Sequence, residues 1–393
     1  MGCTDEKCDF KPMPMQRRPV GEEDVLIDMV YCGICHTDLH TAAGHLGGIG
    51  MKKYPCVPGH ELAGICTAVG SKVTLVKVGD QVGVGCMVDS CLNCAACKRG
   101  EEQMCSKQVG TYGATDKSGR AATYPAGGHT LGGYTTQMVV HERFAIIIPA
   151  NYPLKFAGPV MCAGVTLYDP LRRYKATTGT RVAIVGLGGL GQMGVKVAKA
   201  MGCVVTVVSR SMSKEKFARE CGAQAFLASS DDAQMLAAAK SFDLVMNTIP
   251  SEHDYNMYTK LVAAGGKHII LGLNSGLVGA ILTDTVVLGN SKVKASAIGS
   301  IEATRKVIEL CNEHKIYPDI KIVRAEEIND VFTKLDSNNQ DGVRYVLDIK
   351  GSLNAATASK CTAAAPTIQP SPGITPGLIC GTFCNFLCCC KWC

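Results

Sequence analysis

The chain has 393 residues, of which 47% are hydrophobic and 19% are charged, an ordinary composition for a globular protein with two domains. Its formal net charge is +6, and its lysines and arginines form no stripe interleaved with aromatic residues, which argues against a nucleic-acid partner. The chain begins without the basic and apolar regions of a secretory signal, and no stretch reaches roughly 18 apolar residues, so we expect a cytoplasmic protein that is not a membrane protein.

Short strands separated by glycines characterise residues 20 to 150. Segments 24–30, 62–69 and 81–85 have the composition of strands, and no long helical periodicity interrupts them. This pattern predicts a β-rich domain over residues 1–154.

Four cysteines follow one another closely in this region, at Cys91, Cys94, Cys97 and Cys105. Their spacing lets a short loop fold back and present four thiolates to one tetrahedral ion, which is the geometry of a closed structural zinc site. The alternative is a pair of disulfides, which the reducing cytosol disfavours. The run therefore predicts a metalloprotein, although a four-cysteine zinc site does not identify an enzyme.

Near residue 155 the pattern changes to strands that alternate with segments of helical length. The predicted strands are 181–186, 203–209, 243–248 and 267–271, and the predicted helices are 189–201 and 214–221. This alternation predicts an α/β fold with a parallel, doubly wound sheet over residues 155–298. A helix at 303–314 and a strand at 344–349 close the folded region, and we assign residues 299–350 to the first domain.

A dinucleotide site is predicted where the strand at 181–186 meets the helix that follows it. The turn has the pattern GxGxxG and consists of Gly186, Leu187, Gly188, Gly189, Leu190 and Gly191. Its glycines permit a close approach to a pyrophosphate, which the free NH groups of the helix N-terminus bind. The flanking strand and helix, with a second strand at the right distance, make this otherwise weak signal specific.

The end of that second strand indicates which cofactor binds. It reads Val208-Ser209-Arg210-Ser211, where an NAD site usually has an acidic residue for the ribose hydroxyls. An arginine there suits a 2′-phosphate, so we predict NADP(H), with contacts from Ser209, Arg210, Ser211 and Lys214. The alternative is that Arg210 is only a solvated loop residue.

A second metal site is suggested by three separate motifs, GICHTDLH at 33–40, PGHE at 58–61 and MCAGVT at 161–166. They contain Cys35, His60 and Cys162, which lie far apart in the sequence. Spacing alone therefore favours buried structural side chains over metal ligands.

The chain resembles the zinc-dependent medium-chain alcohol dehydrogenases of the cinnamyl alcohol dehydrogenase type over residues 10 to 350. The motifs above, together with GHTLGGYTTQMVVHERF and IGSIEATRKVIELC, occur in that family's order. The resemblance implies a GroES-like β-rich catalytic domain and a Rossmann domain, with two Zn²⁺ per subunit and NADP(H). It also implies a homodimer formed through the edges of the nucleotide-binding sheets.

The resemblance further implies that Cys35, His60 and Cys162 hold a catalytic zinc with an open fourth position for water or substrate oxygen. Glu61 would be a neighbour of this metal that can replace a departing ligand. The cysteines of the four-cysteine loop would hold a structural zinc.

Thr37 and His40 match the family's proton relay, which runs from the substrate oxygen through the threonine hydroxyl and the cofactor ribose to an imidazole. Thr166 would be a further cofactor contact. We expect His36 and Asp38 to shape the loop. The histidines without such a context are expected to lie at the surface or in hydrogen bonds, namely His45, His129 and His141.

These observations predict an oxidoreductase that transfers hydride reversibly between NADPH and small aldehydes. Where lignin-pathway members have large aromatic residues in the substrate cleft, this chain has Gly110 and Ala297. A wider cleft with fewer stacking contacts predicts broad specificity for aliphatic and aromatic aldehydes. One alternative is a dedicated cinnamyl or natural-product alcohol dehydrogenase. Another is a non-catalytic relative that retains the cofactor, although the intact metal and relay residues argue against it.

Residues 351–393 are predicted to form an appended, disordered tail. The segment is rich in Ala, Thr, Ser and Pro, and six cysteines fall in its last 14 residues. Termini of this kind usually tolerate change. S-acylation, metal binding and a subunit contact remain alternatives for these cysteines, and Gly2-Cys3 also permits acylation.

Overall fold

Two sheets organise the part of the chain that the computed structural model describes, which comprises residues 1–15, 17–46, 52–115, 128–272, 292–337 and 342–353. One sheet has seven strands and the other has six, and a further pair of strands forms a third sheet.

The strands and helices have the following bounds. The strands are β1 Asp24–Ile34, β2 Leu62–Val69, β3 Gln81–Val84, β4 Met87–Asp89, β5 Val109–Gly110, β6 Gln137–His141, β7 Ile146–Ile147, β8 Arg181–Val185, β9 Val204–Ser209, β10 Ala225–Ala228, β11 Phe242–Asn247, β12 Val262–Ile270, β13 Lys292–Ala295, β14 Ile320–Val323 and β15 Arg344–Asp348. The helices are α1 His36–Ala42, α2 Ala95–Lys98, α3 Ala157–Pro159, α4 Val165–Arg173, α5 Gly189–Ala200, α6 Glu215–Cys221, α7 Asp232–Ala237, α8 Tyr255–Thr259, α9 Ile301–Glu313, α10 Ile328–Asp336 and α11 Ile349–Ser352.

The seven-stranded sheet has the order β14-β15-β1-β2-β3-β7, with β6 paired to β1. Strand β1 runs antiparallel to β2, β6 and β15. Its apolar residues Val25, Ile27 and Met29 are buried, and their alternate spacing directs them to one face of the sheet. Because β14 and β15 come from the last part of the described chain, that part returns to the β-rich sheet formed by the first 150 residues.

The six-stranded sheet has the order β10-β9-β8-β11-β12-β13, and all its strands are parallel. Numbered from β8, this is the order 3-2-1-4-5-6 of a doubly wound dinucleotide-binding sheet, in which ligands bind where the order reverses. The reversal lies between β8 and β11, at the carboxyl end of β8. The predicted fold class is confirmed, whereas the residue boundaries of the two domains stay predictions.

Buried apolar side chains cover both faces of the parallel sheet. In β8, Val182 and Ile184 belong to the large core, which also includes Ile27 of the other sheet. Ala183 and Val185 belong to a smaller cluster. A strand that is buried on both faces explains the continuous apolar run that precedes the glycine-rich turn.

The predictions for the tail concern residues that the structure describes only up to 353. The predictions of disorder and acylation for residues 354–393 therefore lie outside the described residues. Among the described helices, none combines the length and the hydropathy needed to span a membrane.

Candidate active site

The loop between β1 and α1 positions the first of the predicted metal ligands. Cys35 precedes α1 in extended conformation, and its backbone NH donates to Asp38 Oδ2 at 2.9 Å. This hydrogen bond satisfies a free NH group at the start of the helix. The same turn places Thr37 Oγ1 3.8 Å from Cys35 Sγ.

Cys162 lies in a helix that changes its winding. Helix α3 passes into a π-helical turn, Val160–Gly164, which continues as α4. Such turns occur frequently at functional sites. The helix packs closely on the loop of the second motif, since a Cβ at Gly158 would lie 2.3 Å from the Glu61 backbone oxygen. As a result, Cys162 Sγ lies 3.2 Å from His60 Nε2.

Four potential ligands therefore meet in one buried cluster. The ligand atoms of Cys35, His60, Glu61 and Cys162 all lie within 4.8 Å of one another. Two thiols and one imidazole form the Cys₂His donor set of a catalytic zinc site. Neither carboxylate oxygen of Glu61 has a hydrogen-bond partner among the described residues, although both are buried. A cation in the cluster would compensate for that burial, so the residues present fit a zinc ion.

The electrostatics of the cluster follow from burial and from the close contact of the thiols. Burial raises the pKa of Glu61 to about 7, against the opposing effect of the Arg344 guanidinium. The hydrogen bond with Cys162 holds the pKa of the Cys35 thiol well below its ordinary value, and Arg344 acts in the same direction. A thiolate at Cys35 is the form that binds a metal.

Asp38 orients the imidazole of His60. Its Oδ1 lies 3.0 Å from His60 Nδ1, and because a carboxylate accepts, Nδ1 carries the proton and Nε2 presents a lone pair toward the thiols. Tyr134 donates its hydroxyl to Asp38 Oδ2 at 2.9 Å, and the Tyr112 hydroxyl lies 3.1 Å from His60 Nδ1. Asp38 is completely buried, so these hydrogen bonds hold its carboxylate in place, and the carboxylate in turn holds the His60 ring.

His40 has a second histidine as its neighbour. The Nδ1 atoms of His40 and His45 lie 3.1 Å apart, so one of them donates to the other. Burial, together with the neighbouring rings of His36 and His45, lowers the pKa of His40 to about 4. His36 Nε2 lies 2.9 Å from the Leu335 carbonyl oxygen, so this ring links the start of α1 to α10.

The four cysteines of the loop at 91–105 form the second cluster of potential metal ligands, again with ligand atoms within 4.8 Å of one another. The Cys94 backbone NH donates to Cys91 Sγ at 3.3 Å, and the Lys107 NH donates to Cys105 Sγ at 3.3 Å. The NH groups of Asn93 and Cys94 lower the pKa of Cys91 to about 6. Such hydrogen bonds stabilise thiolates, so this cluster fits a structural zinc.

The glycine-rich turn has the backbone conformation and the open space that binding of a phosphate group requires. Gly186 has φ +88°, which favours glycine, and a Cβ at Gly191 would lie 2.0 Å from the Gly186 carbonyl oxygen. A Cβ at Gly188 would meet no heavy atom within 4 Å. No side chain caps the N-terminus of α5, so the turn combines free NH groups with open space and fits a pyrophosphate.

The residues predicted for the 2′-phosphate follow β9. Ser209 ends the strand, and Arg210 and Ser211 are exposed. Lys214 Nζ donates to the Leu187 carbonyl oxygen at 3.0 Å, and burial and the Arg210 charge lower its pKa. Both cations thus belong to the same region as the glycine-rich turn. Thr166 is buried in the first turn of α4.

Arg344 connects the two regions. Its guanidinium forms an ion pair with Glu61 Oε1 at 3.4 Å, and its Nε would lie 3.2 Å from a Cβ on Gly189. This Nε is buried without a hydrogen-bond partner among the described residues.

Comparison with known proteins identifies the family. Residues 21–150 match the alcohol dehydrogenase GroES-like domain, and residues 189–313 match the zinc-binding dehydrogenase domain. A probable cinnamyl alcohol dehydrogenase of Pinus radiata is 40% identical over 350 residues, which cover 88% of this chain and 94% of that protein. The chain belongs to the zinc-binding medium-chain alcohol dehydrogenases.

Solved structures of cinnamyl alcohol dehydrogenases have the same architecture. The enzyme from Sorghum bicolor superposes with a TM-score of 0.83 at 36% identity, covering 89% of this chain and 97% of that one. The enzyme from Helicobacter pylori, solved in complex with NADP(H), gives a TM-score of 0.81 at 37% identity over the same shares of the two chains. This alcohol dehydrogenase is therefore an oxidoreductase that interconverts alcohols and aldehydes, as predicted.

For several residues of the alcohol dehydrogenase site the sequence analysis does not predict the contacts that the structure shows. Asp38 was expected only to shape the loop, and His45 was placed outside the site. No sequence pattern points to a role for Tyr112 or Arg344 in the site, because their partners, His60 and Glu61, lie far away in the chain. For Asp38 a signal existed, since an acidic residue three positions after the start of a helix is a common capping pattern.

Proposed function

We propose that this alcohol dehydrogenase is an NADPH-dependent reductase of varied aliphatic and aromatic aldehydes that holds two Zn²⁺ per subunit. The observation that carries the proposal is the buried cluster of Cys35, His60, Glu61 and Cys162, with all ligand atoms within 4.8 Å of one another. It combines a Cys₂His donor set with the nearby Thr37 hydroxyl.

The ligand set is suited to carbonyl reduction. Bound zinc supplies a Lewis acid, and bound NADPH supplies the hydride. Cys35 and Cys162 would bind as thiolates, whose two negative charges balance a divalent cation. With these two thiolates the site would be neutral overall, which would suit binding of a carbonyl oxygen without retaining an anionic product too strongly. Glu61, held by Arg344, would remain beside the metal as an exchangeable ligand.

We assign proton transfer to Thr37 and His40. The Thr37 hydroxyl, beside Cys35, can donate its proton to the oxygen of the reduced carbonyl. The His40 imidazole would return the proton on the cofactor side. The 3.1 Å contact between the Nδ1 atoms of His40 and His45 would hold the His40 ring in place and fix which of its nitrogens carries the proton.

The cofactor site favours NADP(H) because two cations lie beside the glycine-rich turn. Arg210 and Lys214 would bind the 2′-phosphate by charge-assisted hydrogen bonds. The free NH groups of α5 would bind the pyrophosphate, together with the Nε of Arg344, which has no hydrogen-bond partner among the described residues. The NADP(H) complex of the Helicobacter pylori relative supports this assignment.

Broad specificity is proposed from small residues at the cleft positions. A Cβ at Gly110 would meet nothing closer than 3.6 Å, so this position leaves room beside the β4–β5 pair, and Ala297 is exposed. A small cavity nearby is lined by Cys86, Met161, Ile298 and Thr304, among others. Small side chains at positions 110 and 297 would leave space for aldehydes of different shape.

The experiment is a screen of the purified enzyme with butanal, benzaldehyde and hydroxycinnamaldehydes, using NADPH and NADH in parallel, with zinc quantified by mass spectrometry. We expect turnover of all three aldehyde classes, a preference for NADPH and two zinc ions per chain. A preference for NADH would contradict the role of Arg210. Turnover of hydroxycinnamaldehydes alone would instead support a dedicated cinnamyl alcohol dehydrogenase, the activity named for the relatives.

We also propose a cytoplasmic homodimer. Strand β13 ends the described parallel sheet, where it pairs only with β12, and an exposed strand edge favours pairing with a second copy. Light scattering during size-exclusion chromatography tests this, and a monomeric mass would contradict it.

A further inference from the structure

Three cysteines lie together outside both metal-binding clusters. Cys3, Cys8 and Cys56 are buried, with exposed fractions of 1%, 0% and 3%. They come from the first residues of the chain and from the segment that leads into PGHE. None of them has a role in the proposed reaction.

The backbone places Cys3 and Cys56 in the correct relation for a disulfide. The Cys3 NH donates to the Cys56 oxygen at 2.9 Å, and the Cys56 NH donates to the Cys3 oxygen at 2.8 Å. This is a hydrogen-bonded antiparallel pair, for which the Cα atoms lie about 5.5 Å apart. Disulfides span Cα distances of about 4.4 to 6.8 Å. The Cys3 and Cys56 side chains also interact with each other, so the pair can be bridged with little backbone movement.

The position of this pair relates it to the candidate active site. Cys56 lies four residues before His60 in the sequence. The amino-terminal segment, residues 1–11, packs against Tyr134. The Met1 amino group donates to the Tyr134 carbonyl oxygen at 2.5 Å. Phe10 packs against the Tyr134 ring at a centroid distance of 6.4 Å. Tyr134 in turn donates a hydrogen bond to Asp38, which orients His60. A disulfide between Cys3 and Cys56 would therefore join the amino-terminal segment covalently to the stretch of chain that leads to His60.

We propose that Cys3 and Cys56 are a reversible oxidative modification site, which hydrogen peroxide converts into an intramolecular disulfide. The sulfur of Cys3 attacks one peroxide oxygen, the O–O bond breaks, and a sulfenic acid and one water are formed. The Cys56 sulfur then attacks that sulfenic sulfur, the S–S bond forms, and the hydroxyl leaves as a second water with the Cys56 proton. The two thiols together lose two electrons and two protons to one peroxide. A dithiol reductant reverses the change by thiol–disulfide exchange.

Cys3 reacts first because its segment can open. Burial and the contact with Cys56 raise the pKa of the Cys3 thiol above its ordinary value, so the thiolate forms when the segment separates from the fold. The Gly2 and Lys11 backbone pair and the Cys3 and Cys56 pair hold this segment, and local opening of one short segment costs less than global unfolding. Closure in the native register then brings the oxidised sulfur against Cys56.

The test uses the full-length, zinc-loaded enzyme. The reduced protein is exposed to hydrogen peroxide, the remaining thiols are alkylated, and tryptic peptides are identified by mass spectrometry. We expect a peptide of residues 1–7 linked to residues 54–72, which disappears after treatment with dithiothreitol. Since the second peptide also contains Cys66, the matched variants are Cys56→Ser, which must lose the linked peptide, and Cys66→Ser, which must keep it. Cys3→Ser tests the same bond from the chain end, should Cys56→Ser fail to fold.

Three results would overturn the proposal. A bond that joins residues 1–7 mainly to 8–17 would identify Cys8 as the partner. Sulfinic acid at Cys3 without a linked peptide would show that Cys56 does not reach the oxidised sulfur. Oxidation confined to the four-cysteine loop, with Cys3 and Cys56 still alkylated, would show that the segment does not open.

Discussion

At the scale of single residues, the feature that distinguishes this site is the number of groups that converge on Asp38. The backbone NH groups of Cys35 and Gly59, the imidazole of His60 and the hydroxyl of Tyr134 all direct a hydrogen bond to this one carboxylate. Four donors satisfy both oxygens of a completely buried group. Asp38 therefore determines the position of two candidate ligands, Cys35 and His60, without being a ligand itself.

Asp38→Asn should weaken zinc binding at the candidate active site. An amide has one acceptor oxygen for four donors and presents an NH₂ group to at least one of them. We expect the affinity for this zinc to fall by roughly 10–100-fold, measured by competition with a chelator of known affinity. The four-cysteine loop should keep its zinc, which serves as the internal control. Equal retention of both ions would contradict the positioning role.

His45→Ala should change His40 in two ways. The pKa of His40 should rise from about 4 toward its ordinary value, because the His45 ring is one of the groups that lower it. Burial and His36 still act, so the rise should be partial. Nuclear magnetic resonance titration of the His40 ring measures this change without cofactor or substrate. Turnover should fall as well, because the His40 ring loses the hydrogen bond that holds it, and unchanged turnover would contradict this positioning role of His45.

At the scale of elements, the sequence predicted local sites far better than the distributed one. The four-cysteine loop and the glycine-rich turn are each contained in one short segment, so the spacing of their residues in the sequence predicts their arrangement in space. Cys35, His60 and Cys162 meet only because β1, the PGHE loop and the π-helical turn pack together. Neither apolar periodicity nor composition signals a π-helical turn within an otherwise regular helix. Resemblance to a family, rather than spacing, therefore carried that prediction.

A polar network between β11, β12 and α8 should make the enzyme less stable in acid. His268 of β12 is completely buried, its Nδ1 lies 2.8 Å from Thr259 Oγ1, and its Nε2 lies 3.2 Å from Asn247 Nδ2. Burial, with a smaller effect of His253, lowers the pKa of His268 to about 4. Between this value and about 6.5 the unfolded state binds more protons, so stability falls as the pH decreases through that window.

His268→Gln measures the size of this effect. From pH 7 to pH 5 the free energy of unfolding contributed by His268 should fall by about 2 kcal/mol in the wild type. The variant lacks the titrating group, so its stability should depend less on pH by about that amount. Urea denaturation of both proteins at the two pH values provides the comparison. Parallel pH dependences would show that His268 does not take up a proton on unfolding.

At the scale of the whole molecule, the cofactor should stabilise the fold, because its proposed site uses both sheets. Arg344 comes from β15 of the β-rich sheet, whereas the glycine-rich turn and Arg210 belong to the parallel sheet. A ligand bound between them favours the folded state by an amount that grows with the logarithm of its concentration relative to its dissociation constant. At roughly 100 times its dissociation constant, NADPH should add about 2.7 kcal/mol to the free energy of unfolding.

Thermal unfolding with NADPH and with NADH measures this without any substrate. We expect the larger increase in midpoint with NADPH, and we expect Arg210→Ala to remove most of the difference between the two cofactors. Equal midpoint shifts in the wild type would favour the view that Arg210 is only a solvated loop residue.

The order of strands in the β-rich sheet has a consequence for how this protein is made. Tyr31 to Ile34 of β1 pair with Tyr345 to Asp348 of β15, so this early strand must wait for a strand that is synthesised about 300 residues later. Until then the nascent chain presents this part of the β1 edge unpaired, and unpaired edges promote association with other chains. Arg344 is the first residue of β15. Its side chain contacts both the buried ligand cluster, at Glu61, and the glycine-rich turn, at Gly189. Enzymatic competence can therefore arise only after residue 344 has been synthesised and β15 has paired with β1.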